Sequence, residues 1–244
     1  MYKTFEKLAK NFDLNDYWIN HKYEHSLNVA ALALAFAKKI NLNEEDTNLI
    51  EQIGLLHDIG RFKQLKLYQT FNDHKSIDHG DAGAKYLFEE GHIDEYNIPV
   101  ENYETIKIAI KNHNKPNIDE KAEGRTLFFS KLIRDIDKIQ ILKENALGLM
   151  PISNCEEGIN PIIDTDFKKH KAINISDIKN YNDEVVVTLG FIFDINFDIS
   201  YKYIKENDII NKLEKFYDSE IFKEYFVIVN KFINDKTKEW YYVR

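Results

Sequence analysis

Residues 54–64 read GLLHDIGRFKQ. An apolar run leads straight into His57 and Asp58, and Gly60 and Arg61 follow two residues later. Ile50, Ile53 and Gly54 precede His57 by seven, four and three positions, so a helix over 44–58 turns His57 onto their inward stripe. Gly60 reads as the stop of that helix. Burying an imidazole and a carboxylate side by side without partners costs several kcal/mol. Something in the chain must offset that cost.

The surrounding sequence is helical in pattern. Gly and Pro number only 9 and 4 in 244 residues, and apolar residues recur at helical spacing. Helices are predicted near 2–12, 20–40, 44–58, 79–90, 100–113, 123–146, 163–170, 175–197, 200–217 and 219–237. The run DEVVVTLGFIFDINF (183–197) has the β-branched content of a strand. With no partner strands in view it is read as a buried helix. The fold class is therefore all-α. The stretch around 147–162 is the one plausible joint, too short and too apolar for a free linker. One continuous body over 1–244 is expected, with a core at about 20–145 and a C-terminal helical extension at about 160–244.

Composition narrows the class. The N-terminal MYKTFEKLAKNF is amphipathic and lacks the unbroken apolar core of a signal peptide. The longest apolar stretch, VVVTLGFIF, is far too short to span a bilayer. A single cysteine, Cys155, leaves no internal disulfide framework and no Cys-rich zinc site. These features point to a cytoplasmic protein without a membrane partner. The net charge of −8 argues against duplex nucleic acid as a partner, because phosphate contacts need a positive face. A small anionic substrate needs a local cation to reverse the field.

The helical stripes carry more than His57. His25 shares a face with Val29, Leu32 and Phe36, and His113 with Ile106, Ala109 and Ile110. His79 opens a helix with Ala82, Gly83 and Tyr86 on its face, and Asp78 reads as its N-cap. Asp137 lies with Ile133 and Ile141; Asp135 competes for the same part, with Phe128, Leu132 and Ile139. His92 and His170 show no such placement. Any one of these, taken alone, is more simply a hydrogen-bonded core residue. Four inward histidines and two aspartates on five helices form a set that core packing does not call for. Helices facing one another in a bundle can aim such side chains at one point, as bundle metal sites do. A bound cation would also offset the burial of His57 and Asp58, aided by the dipole at the end of the His57 helix. Imidazoles with carboxylates suit manganese, iron, cobalt, nickel or zinc better than calcium or magnesium. His25, His57, Asp58 and Asp137 would hold one ion. His79 and His113 could hold a second, with Asp58 bridging. Two divalent ions against two carboxylates leave about two net positive charges to attract phosphate.

The ordered set His25, His57-Asp58, Asp137, with RDIDKIQIL (134–142) closing it, resembles the HD superfamily of metal-dependent phosphohydrolases. HDIG at 57–60 is similar to the form common in one large bacterial branch. His79 in IDHGDAGAKYL and His113 in IAIKNHNK resemble the additional histidines of members that bind two metals. The resemblance spans roughly residues 20–140. It departs where many binuclear members have paired histidines and this chain has His113-Asn114. The Gly-Tyr-Pro element of the cyclic-di-GMP phosphodiesterase branch is absent. The family pattern fits IDKI and so favours Asp137 over Asp135.

The resemblance implies phosphoester hydrolysis of a nucleotide or a related small phosphorylated molecule by a metal-bound hydroxide, with one or two divalent ions. Asp58 would be central to catalysis. Arg61 and Lys115 are candidates for orienting phosphate, and His21, one turn before His25, for contacting substrate. Asp73, His74 and Asp81 would border the mouth. Two other readings use the same residues: an HD-type di-iron oxygenase and a non-catalytic nucleotide-binding module. The aromatics of FKEYFVIVNKF (222–232) and EWYYVR (239–244) could clamp a base or form a homodimer face. More plainly, they pack helices over the core and shape its entrance.

Overall fold

The structure is a computed structural model that describes residues 1–151, 153 and 157–238; Cys155 and the EWYYVR segment lie outside the described residues. Among the described residues there are helices and no strand, and none of the helices is long and apolar enough to cross a membrane. The chain divides into two compact units, Met1–Asp137 and Lys138–Arg244.

The first unit begins with α1 (Tyr2–Ala9) and α2 (Tyr17–Lys39). Asp16 caps α2 by accepting from the amides of Trp18 and Ile19. The stripe read from the sequence is the buried one: Val29, Leu32, Phe36 and His25 are all withdrawn from solvent. Next comes α3 (Glu44–Leu56), capped by Asn43, with three carboxylates in a first turn whose free amides favour negative charge. The two helices pack closely because position 54 is glycine. A Cβ there would lie 3.1 Å from the Cα of Ala30 and 3.3 Å from the carbonyl of Val29. Leu49, Ile50, Ile53, Leu55 and Leu56 are fully buried, each contributing about 1.5–3 kcal/mol of transfer free energy.

Gly60 is not a helix stop. It opens α4 (Gly60–Tyr68), a helix the sequence reading omits, and its φ is not positive. Its role is close approach. A Cβ would fall 2.1 Å from the carbonyl oxygen of His79 and 2.7 Å from the amide of Gly83, so α4 lies directly against α5 (His79–Ala84). The expected favourable dipole at the end of the His57 helix is corrected with it. The Leu56 and Asp58 carbonyls are taken by the amides of Ile59 and Arg61, and a helix N-terminus follows at once.

Asp78 caps α5 as read, and a π-turn continues it over Lys85–Glu89. Two short 3-10 turns, His92–Tyr96 and Val100–Asn102, lead into α6 (Tyr103–Asn112), whose Ile106, Ala109 and Ile110 are buried. The long α7 (Gly124–Ala146) follows. Arg125 anchors its start by donating to Asp46, Glu45 and Asn102. Further along, Arg134 is buried and donates to the carbonyls of Asn112 and Lys115, fixing the turn after α6.

In the second unit, α8 (Pro161–Lys168) starts with an Asn160 cap and proline in its first turn. The ambiguous DEVVVTLGFIFDINF run is helical: α9 (Tyr181–Gly190) and a 3-10 turn over Phe191–Asp194, with Val185, Val186, Val187, Leu189 and Ile192 buried. The expected helix at 200–217 is two, α10 (Asp198–Glu206) and α11 (Ile209–Phe216), broken at Asp208, whose φ of 55° is left-handed. Finally, α12 (Lys223–Thr237) buries Tyr225, Phe226, Val229 and Ile233 against α9, α10 and α11.

Candidate metal centre

Five elements of the first unit converge on one polar cluster. His25 comes from α2, His57 and Asp58 from the turn after α3, His79 from the first position of α5, His113 from the end of α6 and Asp137 from α7. All four imidazoles are buried, and Asp58 is 3% exposed.

The hydrogen bonds fix how the rings present themselves. His57 Nδ1 lies 2.8 Å from the carbonyl of Gly54, which can only accept, so the ring donates there and its Nε2 carries a lone pair. His113 does the same to the carbonyl of Ile110 at 2.6 Å. His79 Nδ1 is 2.7 Å from Asp73 Oδ2, again directing a bare Nε2 into the cluster. His25 Nε2 lies 3.0 Å from Asp137 Oδ1.

Asp58 stands between two groups of nitrogens. Its Oδ2 faces His57 Nε2 at 3.6 Å and His25 Nε2 at 3.8 Å. Its Oδ1 faces His79 Nε2 at 3.3 Å and His113 Nε2 at 3.5 Å. Asp137 Oδ1 lies 3.5 Å from His57 Nε2. Three triads result whose ligand atoms all fall within 4.8 Å of one another: His25–His57–Asp58, His57–His113–Asp137 and Asp58–His79–His113.

Charge within the cluster is strongly biased. Burial pushes the Asp58 carboxyl upward, but Lys22, His57, His113 and His79 together hold it well below the usual range. Burial likewise raises Asp137, while the hydrogen bond with His25 and the closeness of the His57 ring hold it well below that range. Burial and the charge of Arg61 lower His79 to about 3 despite its bond to Asp73, so its ring is neutral at pH 7.

The residues fit a cation on two observations. Among the described residues, the buried Nε2 of His57 has no hydrogen-bond partner. The Nε2 atoms of His79 and His113 meet at 2.9 Å, although each ring already donates through Nδ1. Two lone pairs so close repel unless a positive charge lies between or beside them.

The remaining sequence candidates fall around this core. Asp137 is the carboxylate brought to His25 and His57; Asp135 is buried elsewhere on α7. Arg61 lies beside the cluster, with Nε 3.6 Å from Asp58 Oδ1. Its NH1 donates to Gln64, to the Phe71 carbonyl and to Asp73. Lys115 points instead to Asp78 at 2.5 Å and Asp81 at 2.7 Å. His21 neighbours His25, with ring centroids 6.3 Å apart, and stacks on Tyr17. Asp73 does more than border the site, since it orients His79. His92 pairs with Glu95, apart from the cluster.

Three further residues contribute. Lys22 lies 2.8 Å from Asp58 Oδ2. Gln64, fully buried, donates to Asp73 at 2.7 Å and to the Ile77 carbonyl. Asn114 donates to Asp73 and Asp78, filling the place of the second histidine in a His-His pair. Lys22 had a legible signal: three residues before His25, it shares that helix face.

No curated protein and no solved structure matches the chain. Residues 23–142 match the HD domain family, a segment that contains every residue of the cluster from His25 to Asp137. That segment, residues 23–142, is an HD domain.

Proposed function

We propose that this chain is a metal-dependent phosphohydrolase acting on a small phosphorylated molecule, a nucleotide or a close relative. The observation that carries the reading is the carboxylate of Asp58, which turns one oxygen to His25 and His57 and the other to His79 and His113. His25, His57, Asp58 and Asp137 would hold one divalent ion, and Asp58, His79 and His113 a second. Manganese, iron, cobalt, nickel or zinc suits this donor set. Such an ion supplies a Lewis acid for a phosphoryl oxygen and lowers the pKa of bound water.

The protein's own part is to hold these donors still. Gly54 O and Ile110 O fix the tautomers of His57 and His113, and Asp73 fixes that of His79. Gln64 and Arg61 fix Asp73 in turn. Arg61 is the better placed of the two cations proposed for phosphate, because among the described residues its buried Nε has no hydrogen-bond partner. Lys115 is committed to Asp78 and Asp81, and burial and these bonds act on its pKa in opposite directions with a net rise. His21 is assigned to the substrate side of His25.

The test is a panel of phosphomonoesters and phosphodiesters with manganese or cobalt added, followed by chelation. Turnover that chelation abolishes supports the reading. Iron-loaded protein with oxygen-dependent turnover would replace it with an oxygenase. Tight nucleotide binding at full metal occupancy without turnover would replace it with a binding module.

A further inference from the structure

Lys22 has no part in holding a metal, yet it is built into the cluster. Its ammonium lies 2.8 Å from Asp58 Oδ2, and its side chain is 12% exposed. The stem leaves α2 one turn before His25, on the same face. Its charge sits 5.2 Å from the centre of the Phe71 ring. Phe71 is itself fixed, by the edge of Trp18 at 5.2 Å and by Arg61, which bonds its carbonyl at 2.8 Å.

Exposure shows where an incoming anion would meet the cluster. The side chains of His25, His57, His79 and His113 are 0–3% exposed and form its floor. Lys22, Arg61, Asp73 and Asp137, at 12–15%, form the rim. Two rim residues are cations. The NH1 of Arg61 is spent on three acceptors, whereas the ion pair of Lys22 is with Asp58.

That ion pair is in competition with a metal. A divalent cation on Asp58 drains the charge that Lys22 relies on and repels the ammonium beside it. A largely buried ammonium then needs another counter-charge. A phosphate oxygen arriving at the rim supplies one, and lysine, with three donors on a flexible stem, can take it without releasing Phe71.

We propose that Lys22 is the phosphate anchor of this site, held by Asp58 until a cation occupies the cluster and then turned to the substrate's phosphoryl group. The inference rests on the phosphohydrolase reading above. Lys22 opposes metal binding on its own and favours it once phosphate is present. By reciprocity, metal and phosphate strengthen each other's binding by one common factor, and Lys22 carries a share of it.

Calorimetric titration of the full chain with manganese, with and without inorganic phosphate, tests this on the wild type, Lys22→Met, Lys22→Gln and Lys22→Arg. In the wild type, phosphate should tighten manganese binding roughly tenfold or more. In Lys22→Met and Lys22→Gln, manganese alone should bind about threefold tighter, while the tightening by phosphate should fall roughly tenfold. Lys22→Arg, which keeps the charge, should retain part of the coupling. A merely structural lysine would weaken both ligands together. Unchanged manganese affinity and unchanged coupling in either neutral variant overturns the proposal while leaving the metal site standing. Absence of manganese binding in the wild type overturns the proposal and the phosphohydrolase reading together. Two neutral variants are used so that a folding defect in one, seen as a lowered melting temperature, leaves the other to decide.

Discussion

His79 and His113 meet through their Nε2 atoms at 2.9 Å, and each has already committed its Nδ1 proton, to Asp73 and to the Ile110 carbonyl. With both rings neutral, this contact brings two lone pairs together, an unfavourable arrangement that a shared cation would relieve. The pair therefore depends on Asp73, which sets the tautomer of His79.

Asp73→Asn should weaken metal binding on the His79 side by roughly 10–100-fold, the usual cost of losing such an orienting partner. His79→Ala should remove that equivalent altogether. Manganese titration followed by electron paramagnetic resonance checks both. Unchanged stoichiometry and affinity in His79→Ala would mean that the His25 side alone binds.

Gly60→Ala should destabilise the protein by about 2–3 kcal/mol, the cost of overpacking a rigid contact. The added Cβ would meet backbone, the carbonyl of His79 and the amide of Gly83, neither of which can swing aside. Urea unfolding measures it. The same variant should lose metal affinity, because His79 is the residue displaced.

The stretch 54–64 contains both what neighbours in the chain encode and what they do not. Helical spacing places His25, His57 and His113 on buried stripes, because a stripe depends only on neighbours in the chain. Gly60 defeats the same method. A glycine that ends a helix and one that admits another helix look alike, and what distinguishes them is the approach of His79 and Gly83, some twenty residues on. Lys22, Gln64 and Asn114 are harder for a similar reason. Each is an ordinary polar residue whose role is set by Asp58, Asp73 or Asp78 across the fold.

In the second unit, Tyr225 donates to Asp164 at 2.7 Å, tying α12 to α8. Burial first, and then this bond, push the tyrosine above its usual range, while Asp164 is held below its own against the opposing effect of burial. A raised folded pKa gives stability that is present below the unfolded value, about 10, and lost as pH rises past it. A lowered carboxylate gives stability that is lost as pH falls below about 4. Tyr225→Phe should therefore melt at a lower temperature than the wild type near pH 7, and the gap should narrow above pH 10. Thermal melts of both proteins across that range check it; a gap independent of pH would show that the hydroxyl contributes only packing.

The central claim is that the six residues His25, His57, Asp58, His79, His113 and Asp137 hold divalent metal. Elemental mass spectrometry of the full chain, purified without chelators, tests it most directly, alongside His57→Ala and Asp58→Ala. The wild type should carry one or two equivalents of manganese, iron, cobalt, nickel or zinc, and both variants should carry essentially none while keeping their helical circular dichroism. Wild-type protein that binds no such metal even when it is supplied, or variants that retain it in full, would contradict the account.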